Sequence, residues 1–454
     1  MLRRLAQRTP VVLLALAGCS TAQPDPATTR SLLPPPSLPA PAIRPAQVTA
    51  PVQPEHLTLA AAIELALAYN PDLAAATWHA EAGTGRVQQA GLWLNPQTGL
   101  TVEDVAGTGD YAGTKQTETT LRLGQTIELG NKRSARVTAA RQDRDLSAWD
   151  RASLELEVVA DTTRSFLAVL GLQDQLALSD EEVSLAEQMV ASVRRLVQSG
   201  REPEAEATRA EVALAAARID RTQTRRALEE ARQELAASWG AVPSFDRADG
   251  TLAPAGPPPS LPDLTSRLEH SPELARWSTE LAQRQAQLAL AEANAIPDVT
   301  VDAGYRRYEE TGDSGFVFGA SLPLPLFDRN QGAIAAARSE LSAAEEEQRA
   351  AGVRARTALN RAHAELLTTY DEIEALATGI LPAADRAFAS IQAGYLEGRY
   401  RHLDVLDAQR TLISNRERLV RAKTEYRQAL ARIDRLTGGP ISGGSTATAG
   451  GGAR

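Results

Sequence analysis

Two hydrophobic periods alternate along this chain. Leu172, Leu176, Ser179, Val183, Ala186, Val190, Val193 and Val197 recur at steps of four and three. That spacing is a heptad seam and predicts a long helix. Ala384, Ala387, Ile391 and Gly394 repeat the same spacing further on. Both seams are thin, small and flanked by charge, so the helices need partner helices to bury them. Between the helical stretches the period drops to two. Thr119, Leu121 and Leu123 alternate with Thr120 and Arg122, and Val299, Val301 and Ala303 alternate with Thr300, Asp302 and Gly304. Each alternating segment pairs with a neighbour across a turn, "AGTGDYAGTK" in the first case and "TGDS" in the second. The segments match the ~9–11 residues of a tilted transmembrane strand. Tyr305, Tyr308, Phe316 and Phe318 are candidate interfacial aromatics. A soluble hairpin with one wet face fits the same alternation.

The elements come in one order, written twice: helix, strand pair, very long helix, turn, helix. The first copy opens at Leu57 with "LTLAAAIELALAYNPDL" and the second at Leu261 with "LPDLTSRLEHSPEL". Asn70-Pro71 answers to Ser271-Pro272, Asn95-Pro96 to Ile296-Pro297, Gly200-Arg201 to Gly398-Arg399, and Trp239-Gly240 to Thr437-Gly438. The offset stays near ~200 residues, too long for a solenoid repeat, so one large unit is duplicated. The first repeat is expected over residues 57–240 and the second over 262–438, with a Pro- and Gly-rich linker over 241–261 and a Gly-rich tail over 439–454. In the first repeat a single helix is expected from about Leu59 to Trp93, stopped by Pro96.

The N-terminus supplies an address. Arg3, Arg4 and Arg8 precede a short apolar run from Val11 to Leu16, the pattern of a signal peptide over residues 1–18. The run ends in Leu16-Ala17-Gly18-Cys19, which resembles a bacterial lipobox and makes Cys19 the expected lipidation site. Ser20 follows, which by the same resemblance favours the outer membrane. Residues 19–56, rich in Pro and Ala, read as an extended tether. After the signal no apolar run is long enough for a transmembrane helix, so a spanning chain must use strands. Four strands leave open edges that cannot face lipid, and closure needs several copies.

Composition removes other classes. The net charge of −9 argues against a nucleic-acid partner. A single Cys excludes an intrachain disulfide and thiolate metal cages, and five His with two Met argue against a dedicated soft-metal site without excluding one. Low aromatic content (4%) with abundant Ala suits close-packed long helices. "GTGDYAGTK" imitates a phosphate loop, but Thr114 separates Gly113 from Lys115 and no strand leads into a helix there. No HExxH, GxSxG or paired-Cys motif occurs, no nucleophile–base pair is apparent, and no cofactor is expected. His363 and His402 read as lone, solvent-facing helical residues.

The duplicated plan, "LTLAAAIELALAYNPDL" and "AGYLEGRYRHLDVLDAQRTL" resemble TolC-type outer-membrane efflux proteins from Leu57 to Gly438. "LGQTIELGNKRSAR" and "LPLPLFDRNQGAI" look more particularly like the heavy-metal, cobalt–zinc–cadmium branch of resistance–nodulation–division systems. The resemblance implies a mainly α chain with a membrane β-barrel. Four strands per protomer would join in a twelve-stranded homotrimeric barrel, above a periplasmic tunnel of long helices. It implies a passive channel that is no enzyme and works with an inner-membrane pump and a periplasmic adaptor. The helix tips at Gly200, Arg201, Gly398 and Arg399 would face the adaptor. Asp404 and Asp407, at i and i+3, would be the carboxylates ringing the periplasmic gate. Tyr400 stands where some relatives carry Arg, which puts one gating salt bridge in doubt, and Glu206 and Arg209 align with the two aspartates in the first repeat. Multidrug efflux and type I secretion stay open as cargo classes. A periplasmic coiled-coil adaptor or structural lipoprotein is the rival from another class, though it should show one hairpin rather than two units.

Overall fold

The computed structural model describes residues 52–254 and 256–440. The signal peptide, Cys19, most of the tether and most of the Gly-rich tail lie outside the described residues.

The chain opens with β1 (His56–Thr58), α1 (Leu59–Tyr69) and α2 (Pro71–Ala90). The single helix expected here is two helices. The Asn70 side chain turns back to accept from the Asp72 and Leu73 amides, and Pro71 starts a new helix instead of continuing the old one. Strands β2 (Gln97–Glu103) and β3 (Glu118–Ile127) follow, then α3 (Lys132–Gln198) and α4 (Glu204–Ala237). The second round is β4 (Arg247–Asp249), α5 (Leu261–Leu268), α6 (Pro272–Asn294), β5 (Val299–Tyr308), β6 (Ser314–Ser321), α7 (Gln331–Glu374), α8 (Leu381–Leu396) and α9 (His402–Thr437). The long helix of the second round is interrupted by a π-helical stretch, Ala375–Ile380. It lies immediately before Pro382, whose ring clashes with the preceding turn and whose missing N–H leaves a carbonyl free.

Helix α3 organises the body. Its 67 residues span about 100 Å at 1.5 Å per residue. Near its start Trp149 donates to Thr279 of α6. At mid-length Phe166, Leu167 and Leu170 pack with Leu57, Leu235, Trp239, Phe245 and Ala248, beside the short parallel pair β1–β4. Pairing Leu57 with Ala248 brings the region between the repeats against the start of the first. At its far end Met189, Val190 and Val193 pack with Ala210 of α4, Phe388 and Tyr395 of α8, and Val405 and Leu412 of α9. Ser179, Val183, Ala186, Val190 and Val193 of the expected seam are buried. The second seam differs: Ala387 is exposed, and Leu381, Ala384, Phe388, Ile391 and Tyr395 face the core. Ala384, Ile391 and Gly394 of the expected seam do turn inward, and only Ala387 is displaced, its place in the three-four series being taken by Phe388.

The duplication is visible in backbone conformation. Asn131 and Asn330 both hold φ 58°, ψ 22° ahead of α3 and α7. Each asparagine follows a strand pair and turns the chain into its long helix.

Candidate functional site

The four longer strands form one antiparallel sheet in the order β2-β3-β5-β6, so the two repeats join through β3 and β5. Register sorts the side chains by face. Leu100, Leu121, Tyr305 and Phe316 lie opposite one another across the four strands, and the next row on that face carries Leu123, Ala303 and Phe318. These are exposed, Phe316 and Phe318 at 78% each. Exposing such side chains to water forfeits about 1.5–3 kcal/mol apiece. A lipid-facing surface has no such cost, and the pattern is that of a barrel's outer band.

The opposite face is polar. Arg306 donates to Glu118 (2.6 Å), Glu103 (3.3 Å) and Thr120 (2.9 Å), and Arg122, Asp302 and Thr300 share its side. Of the four expected interfacial aromatics, Tyr305, Phe316 and Phe318 lie on the apolar face. Tyr308 sits on the polar one, opposite Glu118, because strand alternation puts it with Arg306. The apolar-out, polar-in split was only half legible from periodicity, which cannot say which face meets lipid.

Where strands become helices, Lys132 is buried and its Nζ lies 2.6 Å from Asp298 Oδ1. Asp298 also accepts the Leu129 amide at 3.0 Å. Arg136 makes a two-pronged pair with Glu128 at 2.5 and 3.1 Å, the geometry that suits guanidinium to carboxylate. Arg133 lies 4.4 Å over the Trp93 ring. The "LGNKRSAR" segment therefore clamps the first repeat to the base of β5. Only its resemblance, not its role, was read from sequence.

At the other end, two helical hairpins close on matched turns. Gly200 (φ +69°) and Gly398 (φ +80°) take the left-handed conformation. Arg201 N donates to Leu196 O and Gly200 N to Val197 O; Arg399 N donates to Gly394 O and Gly398 N to Tyr395 O. These bonds satisfy the last carbonyls of α3 and α8 in the Schellman arrangement, which a glycine at that position permits. Arg201 and Arg399 are exposed at the two turns.

Asp404 and Asp407 lie on the first two turns of α9, directly after this tip. Asp404 is half-buried, and one of its oxygens accepts the Arg401 amide at 2.9 Å, capping the helix. Asp407 is exposed. In the first repeat, Glu206 and Arg209 bond to each other at 2.7 Å, so the aligned position is internally neutralised. Tyr400 lies back against Gly394, close enough that a Cβ there would meet its ring at 2.5 Å.

His402 overturns its expected exposure. It is 2% exposed, with its ring centroid 5.8 Å from that of Tyr395. The signal was present: His402, Val405, Gln409 and Leu412 follow three-four-three spacing, and all four are buried. Burial depresses its pKa, while Glu206 and Glu202 pull the other way. Burial also pushes the Tyr395 hydroxyl up to about 12, helped by Glu202 and Glu206. His363 is not free either; it is half-buried, with Nε2 3.0 Å from the Pro259 carbonyl. No cluster of three or more His, Cys, Asp or Glu suited to a metal ion occurs among the described residues. No described helix is long and apolar enough to cross a membrane.

Comparison with known proteins agrees with this geometry. The family described as "Outer membrane efflux protein" matches residues 62–241 and 264–439. The cobalt-zinc-cadmium resistance protein CzcC of Cupriavidus metallidurans is 34% identical over 386 residues, covering 84% of this chain and 90% of that protein. The nickel and cobalt resistance protein CnrC of the same organism is 29% identical over 289 residues, 62% of this chain and 67% of that one. Among solved structures, the outer membrane protein VceC of Vibrio cholerae superposes with a TM-score of 0.72 at 18% identity, over 85% of this chain and 97% of its own.

Proposed function

This chain belongs to the outer membrane efflux protein family, and from that premise we propose that it is the outer-membrane duct of a tripartite efflux system for heavy-metal cations. It is a channel of the outer membrane, and its work is conduction rather than chemistry. The coiled-coil adaptor reading falls, because both halves of the chain match the channel family. The metal assignment is supported chiefly by one observation, the 34% identity to a cobalt-zinc-cadmium resistance protein across most of both chains.

Three copies would close the sheet through the free edges of β2 and β6, giving twelve strands around a polar lumen. The α3–α4 and α8–α9 turns, with Gly200, Arg201, Gly398 and Arg399, would receive a periplasmic adaptor docked to an inner-membrane pump. Asp404 and Asp407, six carboxylates in a trimer, would ring the entrance and draw in cations. Cys19 would carry the lipid anchor, seen as a fatty-acid label that Cys19→Ser loses; equal labelling of both proteins would remove the anchor. The repeats at 57–240 and 262–438 would each contribute one strand pair and one hairpin, joined through the linker at 241–261.

The test is metal handling in the native host. Deleting the gene should raise retained zinc, cobalt and cadmium and lower tolerance to them, and re-expression should restore both. Unchanged metal tolerance would contradict the cargo assignment. Sensitivity to organic drugs in its place would point to multidrug efflux, and loss of a secreted polypeptide to type I secretion.

A further inference from the structure

Four buried polar atoms at the hairpin tips have no partner: both ring nitrogens of His402, the Tyr395 hydroxyl and Glu206 Oε2. They belong to three elements, α9, α8 and α4, that pack together at this end of the body. His402 is the first residue of α9 and packs its ring against Tyr395. The charged groups acting on it are Glu202 in the turn after α3, and Glu206 and Arg209 on α4. Arg201 and the same two glutamates act on Tyr395, which α8 carries. Val193, Val405 and Ala210 are among the apolar side chains packed at this end.

We propose that His402 is a proton-operated latch between the two hairpins: neutral, it packs their tips together, and protonated, it lets them part. An imidazolium in this site would be cut off from water. The carboxylate best placed to compensate it, Glu206, shares its charge with Arg209 through Oε1 at 2.7 Å, and Arg209 itself opposes a charge on the ring. The charged form is therefore better accommodated when the tips separate and water enters.

The direction follows from linkage. Burial is the largest influence on His402 and lowers its pKa below the ordinary 6.5. Above pH 6.5 the ring is neutral whether the tips are packed or parted, and packing bears no penalty. As pH falls through 6.5 the parted form takes up the proton first, and packing weakens until the lowered value is passed. Acid therefore loosens the tips. The inference rests on reading the hairpin end as the channel's mouth, but not on Asp404 or Asp407 being its gate.

The experiment uses the full chain in detergent. Amide hydrogen exchange, corrected for the intrinsic pH dependence, is followed in peptides spanning residues 194–212 and 392–412 at pH 7.5 and 5.5, for wild type, His402→Gln and His402→Leu. In wild type, protection should fall on acidification, by about tenfold for each pH unit separating the packed and parted values. Both variants, which cannot titrate at this position, should show protection independent of pH. An equal acid response in either variant, or none in wild type, would overturn the latch. If neither variant assembles, carbon-detected titration of the histidine rings in wild type decides. A buried ring titrating below the ordinary range, in step with lost protection, supports the latch, and one titrating at or above that range overturns it. Single-channel current on the same samples separates the two readings. Loosening with no change in current keeps the latch and removes the tips from the mouth.

Discussion

A single carboxylate can cap a helix and serve a gate, and Asp404 carries the first duty visibly. One of its oxygens is committed to the Arg401 amide, whereas Asp407, one turn on, is exposed. The two aspartates should therefore not be equal. Asp407→Asn should weaken block of single-channel current by trivalent cations added from the periplasmic side more than Asp404→Asn does, since Asp407 has both oxygens to offer. Removing the cap outright with Asp404→Ala should cost about 1 kcal/mol of stability, and Asp404→Asn less, because an amide oxygen still accepts. Unchanged block in the double variant would put both residues on an outer, solvated face. At this scale the sequence spoke unevenly. The i, i+3 spacing located the carboxylates on adjacent turns, but the cap was invisible without the backbone of Arg401. His402 was misread because its residue type was weighed above its place in the three-four-three series with Val405, Gln409 and Leu412.

Elements were legible where one period ran uninterrupted. The α3 seam from Ser179 to Val193 is buried as its spacing requires. A strong local signal that breaks the period hides an element boundary. Asn70-Pro71 splits α1 from α2, and Pro382 leaves a π-helical stretch inside the second long helix. In the second seam Ala384, Ile391 and Gly394 turn inward while Phe388 replaces Ala387, since in a thin seam alanine sits equally well in or out. The tip glycines both adopt the left-handed conformation. Gly200 and Gly398 would meet almost nothing if given a side chain: nothing lies within 4 Å of the first, and only Arg201 Nη2, at 3.8 Å, of the second. The cost of Gly200→Ala or Gly398→Ala should therefore be backbone strain alone, about 1 kcal/mol each, and additive in the double variant. Thermal unfolding in detergent checks this. A cost several times larger would mean that these turns are packed against something in the assembled protein.

At the scale of the whole molecule, duplication and membrane chemistry act together. Neither repeat alone offers more than a two-stranded hairpin, and joining β3 to β5 makes a sheet with one apolar and one polar face. Alternation in the sequence fitted a wet hairpin as well as a membrane strand. The row Leu100, Leu121, Tyr305, Phe316 set against the Arg306 ion-pair network is what separates them, and that row exists only once register across four strands is known. The same sheet leaves β2 and β6 with unpaired edges, which hydrocarbon does not tolerate. Lys132 and Asp298 hold the strand pairs to the helices beneath. Those open edges make the protein a channel only as a closed ring of identical chains. Native mass measurement of the purified protein in mild detergent should therefore return one species of three chains, and a stable, folded monomer would show that no such ring is needed.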